Sequence, residues 1–203
     1  MLRPPDPADH RPVVAVYGGS FNPPHLGHAL VATALHLRAD VDEVWWVPVY
    51  QHAFQDIQPK RLAPYRRRVA WCEALAQRLG PWAQVSQAEA VLPPPSYTID
   101  TLRYFKSEYP FKQFRLVVGA DVLNDTASWR SWDRIEAEFS PIIVGRQGYT
   151  RPLPEPSLDF PAVSSTALRA ALRRGAPVGH WLPAVVETEL QANGLPDEWG
   201  DEG

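Results

Sequence analysis

The sequence predicts an α/β domain in which a parallel sheet carries helices on both faces. Three observations lead there. A short apolar run, Val13–Tyr17, ends at a glycine pair and gives way to helical periodicity. Strand-like and helix-like stretches then alternate along the chain. No internal repeat and no shift in composition marks off a second domain.

The elements follow in order. Val13–Tyr17 suits a buried strand, and Gly18-Gly19 permits a tight turn with close backbone approach. Gly27–Ala39 reads as a helix with Leu30, Ala34 and Leu37 on one face, broadened by Val31 and Leu35. Val44–Val49 is the next strand, followed by the irregular stretch Tyr50–Ala63. Pro64 opens a helix that runs through Arg68, Cys72 and Leu75 to Leu79. Ala83–Ser86 is a short strand, and Pro93-Pro94-Pro95 is too donor-poor for an element interior. Thr98–Ser107 resumes a helical pattern with Ile99, Leu102 and Phe105 turned inward. Phe114–Val118 is a strand, Trp129–Ala137 a helix and Pro141–Val144 a strand. Gly145–Pro161 is a proline-rich loop with a small strand near Leu158–Phe160. Ser164 or Ser165 caps a helix through Arg173. Pro183–Gln191 is the last helix, stopped at Asn193-Gly194. The domain is expected to span 13–195, between loose flanks at 1–12 and 196–203. Ligands are expected at the C-terminal edge of the sheet.

Composition narrows the function. The 203 residues suffice for one domain with a real core. A net charge of −3 gives no overall cationic field, which argues against a nucleic-acid partner. The single cysteine, Cys72, excludes an intrachain disulfide and a multi-cysteine metal site, and is expected to be an inert, half-buried side chain. Met1–Pro12 lacks the apolar core of a signal peptide, and no later run suits a membrane span. A cytoplasmic enzyme with no membrane partner is the expectation.

The most informative string is Gly18-Gly19-Ser20-Phe21-Asn22-Pro23-Pro24-His25-Leu26-Gly27-His28. Its glycines let the backbone curl under an anion, and the following helix presents N–H groups at its start. His25 and His28, three apart across Gly27, can face one ligand, and imidazole N–H groups suit phosphate oxygens. Alone, two such histidines are ordinary turn residues. After a buried strand and a glycine turn they point to phosphate chemistry. A metal site lacks a third local ligand, and GxGxxG is absent.

A second site follows at Ser164-Ser165-Thr166-Ala167-Leu168-Arg169. The hydroxyls can cap the helix and donate to phosphate, and Arg169 can reach the same anion. An arginine near the positive helix end is unfavourable unless an anion is shared. Arg173 and Arg174 read as solvated surface. Gly119-Ala120-Asp121 ends a strand, where a carboxylate can reach a ribose hydroxyl or a metal-bound water. Of the tryptophans that follow, Trp129 can stack on a cationic ring, whereas Trp132 reads as packing.

The string GGSFNPPHLGH resembles the signature of the HxGH nucleotidylyltransferase superfamily, and the whole pattern is similar to its nicotinate/nicotinamide mononucleotide adenylyltransferases. VSSTALR, SYTIDTL from Ser96 to Leu102, and Gly119-x-Asp121 with Trp129 carry the same likeness, which extends from Val13 to about Leu190. The resemblance implies a Rossmann-like sheet of nucleotidylyltransferase type. It implies adenylyl transfer from ATP to nicotinate mononucleotide, giving nicotinate adenine dinucleotide and pyrophosphate in NAD biosynthesis. On this resemblance His25, His28 and Arg169 are catalytic, with His28 the main support of the α-phosphate. Gly18, Gly19, Ser20, Phe21, His28, Gly119, Asp121, Ser164, Ser165, Thr166 and Arg169 lie on the ATP side. Asn22, His25, Lys60, Arg68, Tyr97, Thr98 and Trp129 lie on the acceptor side. Asp100 and Thr101 help to fix a helix start. Lys60 stands four residues later than the lysine of the compact HxFxK pattern, where this chain has Asp56.

Mg²⁺ is expected with ATP, held mostly by phosphate and water, so no protein ligand is named. Nicotinamide mononucleotide as equal or preferred acceptor stays open, as does a homo-oligomer. Phosphopantetheine adenylyltransferases share the histidine motif but usually lack the full SSTxxR and GxD…W features. A cytidylyltransferase is weaker on the same ground. A non-catalytic nucleotide sensor would need an eroded phosphate site, yet its residues are all present.

Overall fold

The computed structural model describes residues 11–51, 61–124, 126–146, 159–160, 163–179 and 181–200. Six parallel strands form one sheet in the order β3-β2-β1-β4-β5-β6. They are β1 (Val13–Gly19), β2 (Glu43–Pro48), β3 (Ala83–Val85), β4 (Gln113–Gly119), β5 (Ile142–Arg146) and β6 (Asp159–Phe160). The helices are α1 (Leu26–His36), α2 (Tyr65–Leu79), α3 (Ala88–Val91), α4 (Thr98–Glu108), α5 (Trp132–Phe139), α6 (Ser165–Arg173) and α7 (Ala184–Asn193). The predicted elements are present, most within a few residues of their expected bounds. The short α3 had no counterpart among them.

Strand alternation sends side chains to both faces. Val14 and Val16 of β1, Trp45 and Val47 of β2, and Phe114, Leu116 and Val118 of β4 meet Ile99, Leu102 and Phe105 of α4 and Ile135 of α5. Ala15, Val44, Trp46 and Val117 point the other way, against α1 and α2. Cys72 lies in this second core and is fully buried rather than half-buried; burial pushes its thiol well above the ordinary range. A third cluster joins Trp71 of α2, Leu168 of α6, Val186 and Leu190 of α7, and Trp199.

Three expectations differ from the structure. In α1 the buried stripe is Ala29, Val31, Ala32 and Leu35, while Leu30 and Leu37 are exposed, Leu37 to 78%. Both stripes satisfy a helical period, but the small residues bring α1 close to a sheet face that already carries Trp46. The helix expected from Trp129 begins instead at Trp132. Short 3-10 turns cover Val122–Asn124 and Thr126–Ser128, and Ser131 at φ 58° sets the helix start. Residues 196–200, expected to be loose, include a 3-10 turn at Asp197–Trp199 with Trp199 buried. Among the described residues no helix is long and apolar enough to cross a membrane.

Candidate active site

From β1 the chain winds outward through β2 and β3, then returns to β4 on the other side of β1. The reversal opens a crevice at the C-terminal ends of β1 and β4, the usual ligand position in such sheets. Two cavities meet there. One, of about 560 Å³, lies on the α1 side and is lined by His25, His28, Asp121, Ser164, Ser165, Thr166 and Arg169. The other, of about 300 Å³, lies on the α4 side and includes Thr98, Thr101, Leu102 and Trp129. Tyr17, Ser20 and Gly119 line both, so the seam between them runs over the sheet edge.

Glycines shape that edge. A Cβ on Gly18 would meet nothing within 4 Å, so Gly18 leaves open room at the second cavity. A Cβ on Gly119 would stand 2.3 Å from Asp121 Oδ1. Glycine at 119 thus lets the Asp121 carboxylate fold back over the end of β4. A Cβ on Gly27 would stand 2.9 Å from His25 Nδ1, so the glycine between the histidines gives the His25 ring its place.

His25 is the N-cap of α1 and His28 lies in its first turn. Their rings stack with centroids 3.7 Å apart and planes 27° from parallel. The His25 backbone N–H donates to His28 Nδ1 at 3.0 Å. This bond selects the His28 tautomer that carries its proton on Nε2, the form that can donate to an anion.

Helix α6 faces the histidine loop. Ser164 caps it by accepting from the Ala167 N–H at 3.1 Å. Ser165 Oγ donates to the Pro23 carbonyl at 2.9 Å, which docks α6 on the loop. Arg169 donates to the Asn22 carbonyl at 2.9 Å and to Thr166 Oγ1 at 3.3 Å. Imidazoles, hydroxyls, a guanidinium and a helix N-terminus thus line one cavity, a donor set for a polyphosphate.

Known proteins resemble this chain in sequence and in fold. A family model of the cytidylyltransferase-like proteins matches residues 16–171. A probable nicotinate-nucleotide adenylyltransferase of Anaeromyxobacter dehalogenans is 40% identical over 185 residues, covering 90% of this chain and 95% of its own. Its counterpart in Myxococcus xanthus is 36% identical, covering 90% and 93%. The chain belongs to the nicotinate-nucleotide adenylyltransferase family. Among solved structures, the Plasmodium falciparum nicotinic acid mononucleotide adenylyltransferase complexed with NaAD matches with a TM-score of 0.76 at 18% identity, covering 91% of this chain and 97% of that one. A crystal structure named as a putative nicotinate-nucleotide adenylyltransferase from Vibrio parahaemolyticus matches with a TM-score of 0.69 at 21% identity, covering 94% and 97%. Both show the same fold.

Several residues that the family motif placed on ligands have structural duties here. Arg68 is 1% exposed, and its guanidinium donates to the carbonyls of Ala63, Ser20 and Val49 at 2.8–2.9 Å. It lines neither cavity. Burial lowers its proton affinity from the ordinary arginine value. Asn22 lines the first cavity, but its amide is buried in the protein's own bonds. Nδ2 donates to the Arg61 carbonyl, and Oδ1 accepts from the Ala63 N–H and Trp199 Nε1. Phe21 points into the core against Trp46 and Tyr17, and that burial stabilises its left-handed backbone at φ 44°. Tyr97 caps α4 under the Arg130 guanidinium, 4.6 Å from its ring, and lines neither cavity. Gly19 lines only the second cavity. Asp100 accepts from Arg130 at 3.1 Å, and Thr101 donates to the Tyr97 carbonyl. Trp132 packs edge-on against Trp129, as expected. Lys60 lies outside the described residues.

Sequence reasoning missed Glu89 and Arg130, which also line the second cavity. Glu89 accepts from the Tyr50 N–H at 2.9 Å, and Ser96 N–H donates to the Gln51 carbonyl at 2.9 Å. Together they fix the end of β2 against the turn before α4. Burial is the largest influence on the Glu89 carboxyl and pushes it above the ordinary range, opposed by its bonds to Tyr50 and Ser96 and by the Arg68 charge. A buried acid beside a run of prolines gives no periodic signal that would single it out.

Proposed function

We propose that this chain transfers the adenylyl group of ATP to the phosphate of nicotinate mononucleotide, releasing pyrophosphate and forming nicotinate adenine dinucleotide. The observation that carries the reading is the pair of cavities on opposite faces of the sheet, joined over Ser20 and Gly119. A dinucleotide has that form: two nucleoside ends on either side of a central phosphate bridge. The first cavity, with the polyphosphate donors, takes ATP. The second, with Trp129 and Thr98, takes the acceptor, its cationic pyridine ring stacked on the indole.

In the reaction an ionised acceptor phosphate oxygen attacks the α-phosphorus in line, the bond to the β-phosphate bridge breaks, and pyrophosphate leaves with the electron pair. No protein nucleophile and no general base are needed, so positioning and electrostatics supply the catalysis. His28 Nε2–H donates to the α-phosphate, where charge grows most, and His25 holds the ring that does so. Arg169 and the α6 N-terminus neutralise the departing pyrophosphate. Among the described residues no cluster of three or more His, Cys, Asp or Glu could hold a metal ion. Asp121, which lines the first cavity, is the carboxylate that would help to hold a Mg²⁺ brought in with ATP. Such an ion would lower the charge on the phosphates.

Nicotinate is favoured over nicotinamide because Arg130 brings positive charge to the second cavity, where it is shared with Asp100. The test is steady-state pyrophosphate release with ATP, Mg²⁺ and each acceptor in turn. A kcat/KM for nicotinate mononucleotide at least about tenfold above nicotinamide mononucleotide is expected, equivalent to about 1.4 kcal/mol. Equal values would replace the preference with dual specificity. Release with phosphopantetheine alone would overturn the reading.

The Gly119 geometry makes a second prediction for the same assay. Gly119→Ala must displace the Asp121 carboxylate, so kcat/KM for ATP is expected to fall about a hundredfold. Unchanged kinetics would show that Asp121 does not have to stand at that position.

A further inference from the structure

We propose that the C-terminal turn is a positioning element for catalysis, in which Trp199 fixes Asn22 and thereby holds the histidine loop in register with α6. The proposal rests on the adenylyl-transfer reading above and concerns residues outside the motifs that carried it.

Trp199 is 2% exposed and packs near Trp71, ring centroids 5.8 Å apart. Its Nε1–H donates to Asn22 Oδ1 at 2.8 Å. The same oxygen accepts the Ala63 N–H at 2.9 Å, while Asn22 Nδ2 donates to the Arg61 carbonyl at 2.9 Å. The Asn22 side chain therefore joins the C-terminal turn to the segment before α2. Its carbonyl receives Arg169 from α6 at 2.9 Å. From the far end of α6, Arg173 donates to the carbonyls of Trp199 and Gly200, both at 3.0 Å. The contacts close a ring: Asn22, Trp199, Arg173, helix α6, Arg169 and Asn22 again.

The two halves of the phosphate cavity sit on different parts of this ring. His25 and His28 follow Asn22 by a few residues, and Ser164–Arg169 open α6. Nothing covalent close by fixes their separation, since more than a hundred residues lie between them. A side chain that sets the loop against α6 also sets the distance from the imidazoles to the pyrophosphate donors. Errors of about 1 Å in such placement cost about a hundredfold in rate. The Trp199 N–H is satisfied at Asn22, so its buried polar end has a specific partner.

The test is Trp199→Phe, which keeps an aromatic ring beside Trp71 and removes the N–H. Hydrogen–deuterium exchange of residues 20–28 and 61–63 gives a readout independent of turnover, and steady-state kinetics give the second. Exchange in those segments is expected to rise about tenfold, and kcat to fall about tenfold, with both KM values within about twofold of the parent. Arg173→Met, at the other end of the ring, is expected to shift kcat in the same direction and serves if Trp199→Phe fails to fold. Unchanged exchange and unchanged kcat in a folded variant would overturn the latch. So would a kcat loss that vanishes when both proteins are assayed far below their melting temperatures. If the parent protein itself makes no dinucleotide, the proposed reaction fails, while the exchange result still decides whether Trp199 holds the loop.

Discussion

Replacing His28 with alanine is expected to cut kcat about a thousandfold, close to 4 kcal/mol of transition-state stabilisation. The tautomer of His28 is the reason. The His25 N–H occupies His28 Nδ1, so the proton of the neutral ring sits on Nε2. Tyr17 and Phe21 flank the ring at 6.1 and 5.1 Å between centroids and limit its freedom. A donor held this way stabilises the charge that grows on the α-phosphate as the acceptor attacks. KM for ATP should change little, because the α6 side of the cavity keeps its donors. The fold should survive, since alanine is a better helix former than histidine, which offsets part of the loss of the Nδ1 hydrogen bond. A melting temperature within a few degrees of the parent is expected. His25→Ala should destabilise more and slow turnover less, because that ring is buried and acts through its neighbour. Turnover within tenfold of the parent in His28→Ala would remove this residue from the chemistry.

The order of the elements was legible because it depends on local signals. Val13–Tyr17 before Gly18-Gly19, the apolar run at Phe114 and the serines before α6 each announce an element without help from the rest of the chain. That these residues share the first cavity follows from the same local signals: His25, His28 and Arg169 lie next to the turn or cap that positions them. What failed depended on distant partners. Leu30 and Leu37 fit a helical stripe as well as Ala29, Val31 and Ala32 do, and the choice was made by Trp46 on another element. Trp199 lies in a flank expected to be loose, and its acceptor, Asn22, stands many residues earlier. Glu89 was hidden because its partner, the Tyr50 N–H, belongs to the end of a strand on the other side of α2. A polar residue's role follows from which group satisfies it, and one-dimensional spacing reports that only for near neighbours.

Arg68 is the sharpest case of a basic residue whose place in a motif suggested a ligand, and its substitution is expected to have the largest effect on stability. Its three donor groups hold the carbonyls of Ala63, Ser20 and Val49, which belong to the segment before α2, the histidine loop and the end of β2. Tyr65 packs under the guanidinium at 5.5 Å, and burial pushes its hydroxyl up to about 12. The buried Glu89 carboxyl also feels this charge. Arg68→Met keeps much of the volume but leaves three carbonyls short of a donor and removes the nearby positive charge. Breaking such an arrangement costs about 3–5 kcal/mol, which in a chain of this size lowers the melting temperature by roughly 10 °C. Arg68→Lys should recover only part of the loss, because an ammonium cannot span three carbonyls as the planar guanidinium does. Thermal unfolding of both variants, with KM for the acceptor measured on whatever remains folded, separates the two roles. A phosphate-binding arginine would raise the acceptor KM at unchanged stability. The buried clamp seen here predicts the reverse, a large fall in melting temperature with little change in acceptor KM for the folded fraction, because Arg68 shapes the site by holding Ser20 and Val49 in place rather than by touching the ligand.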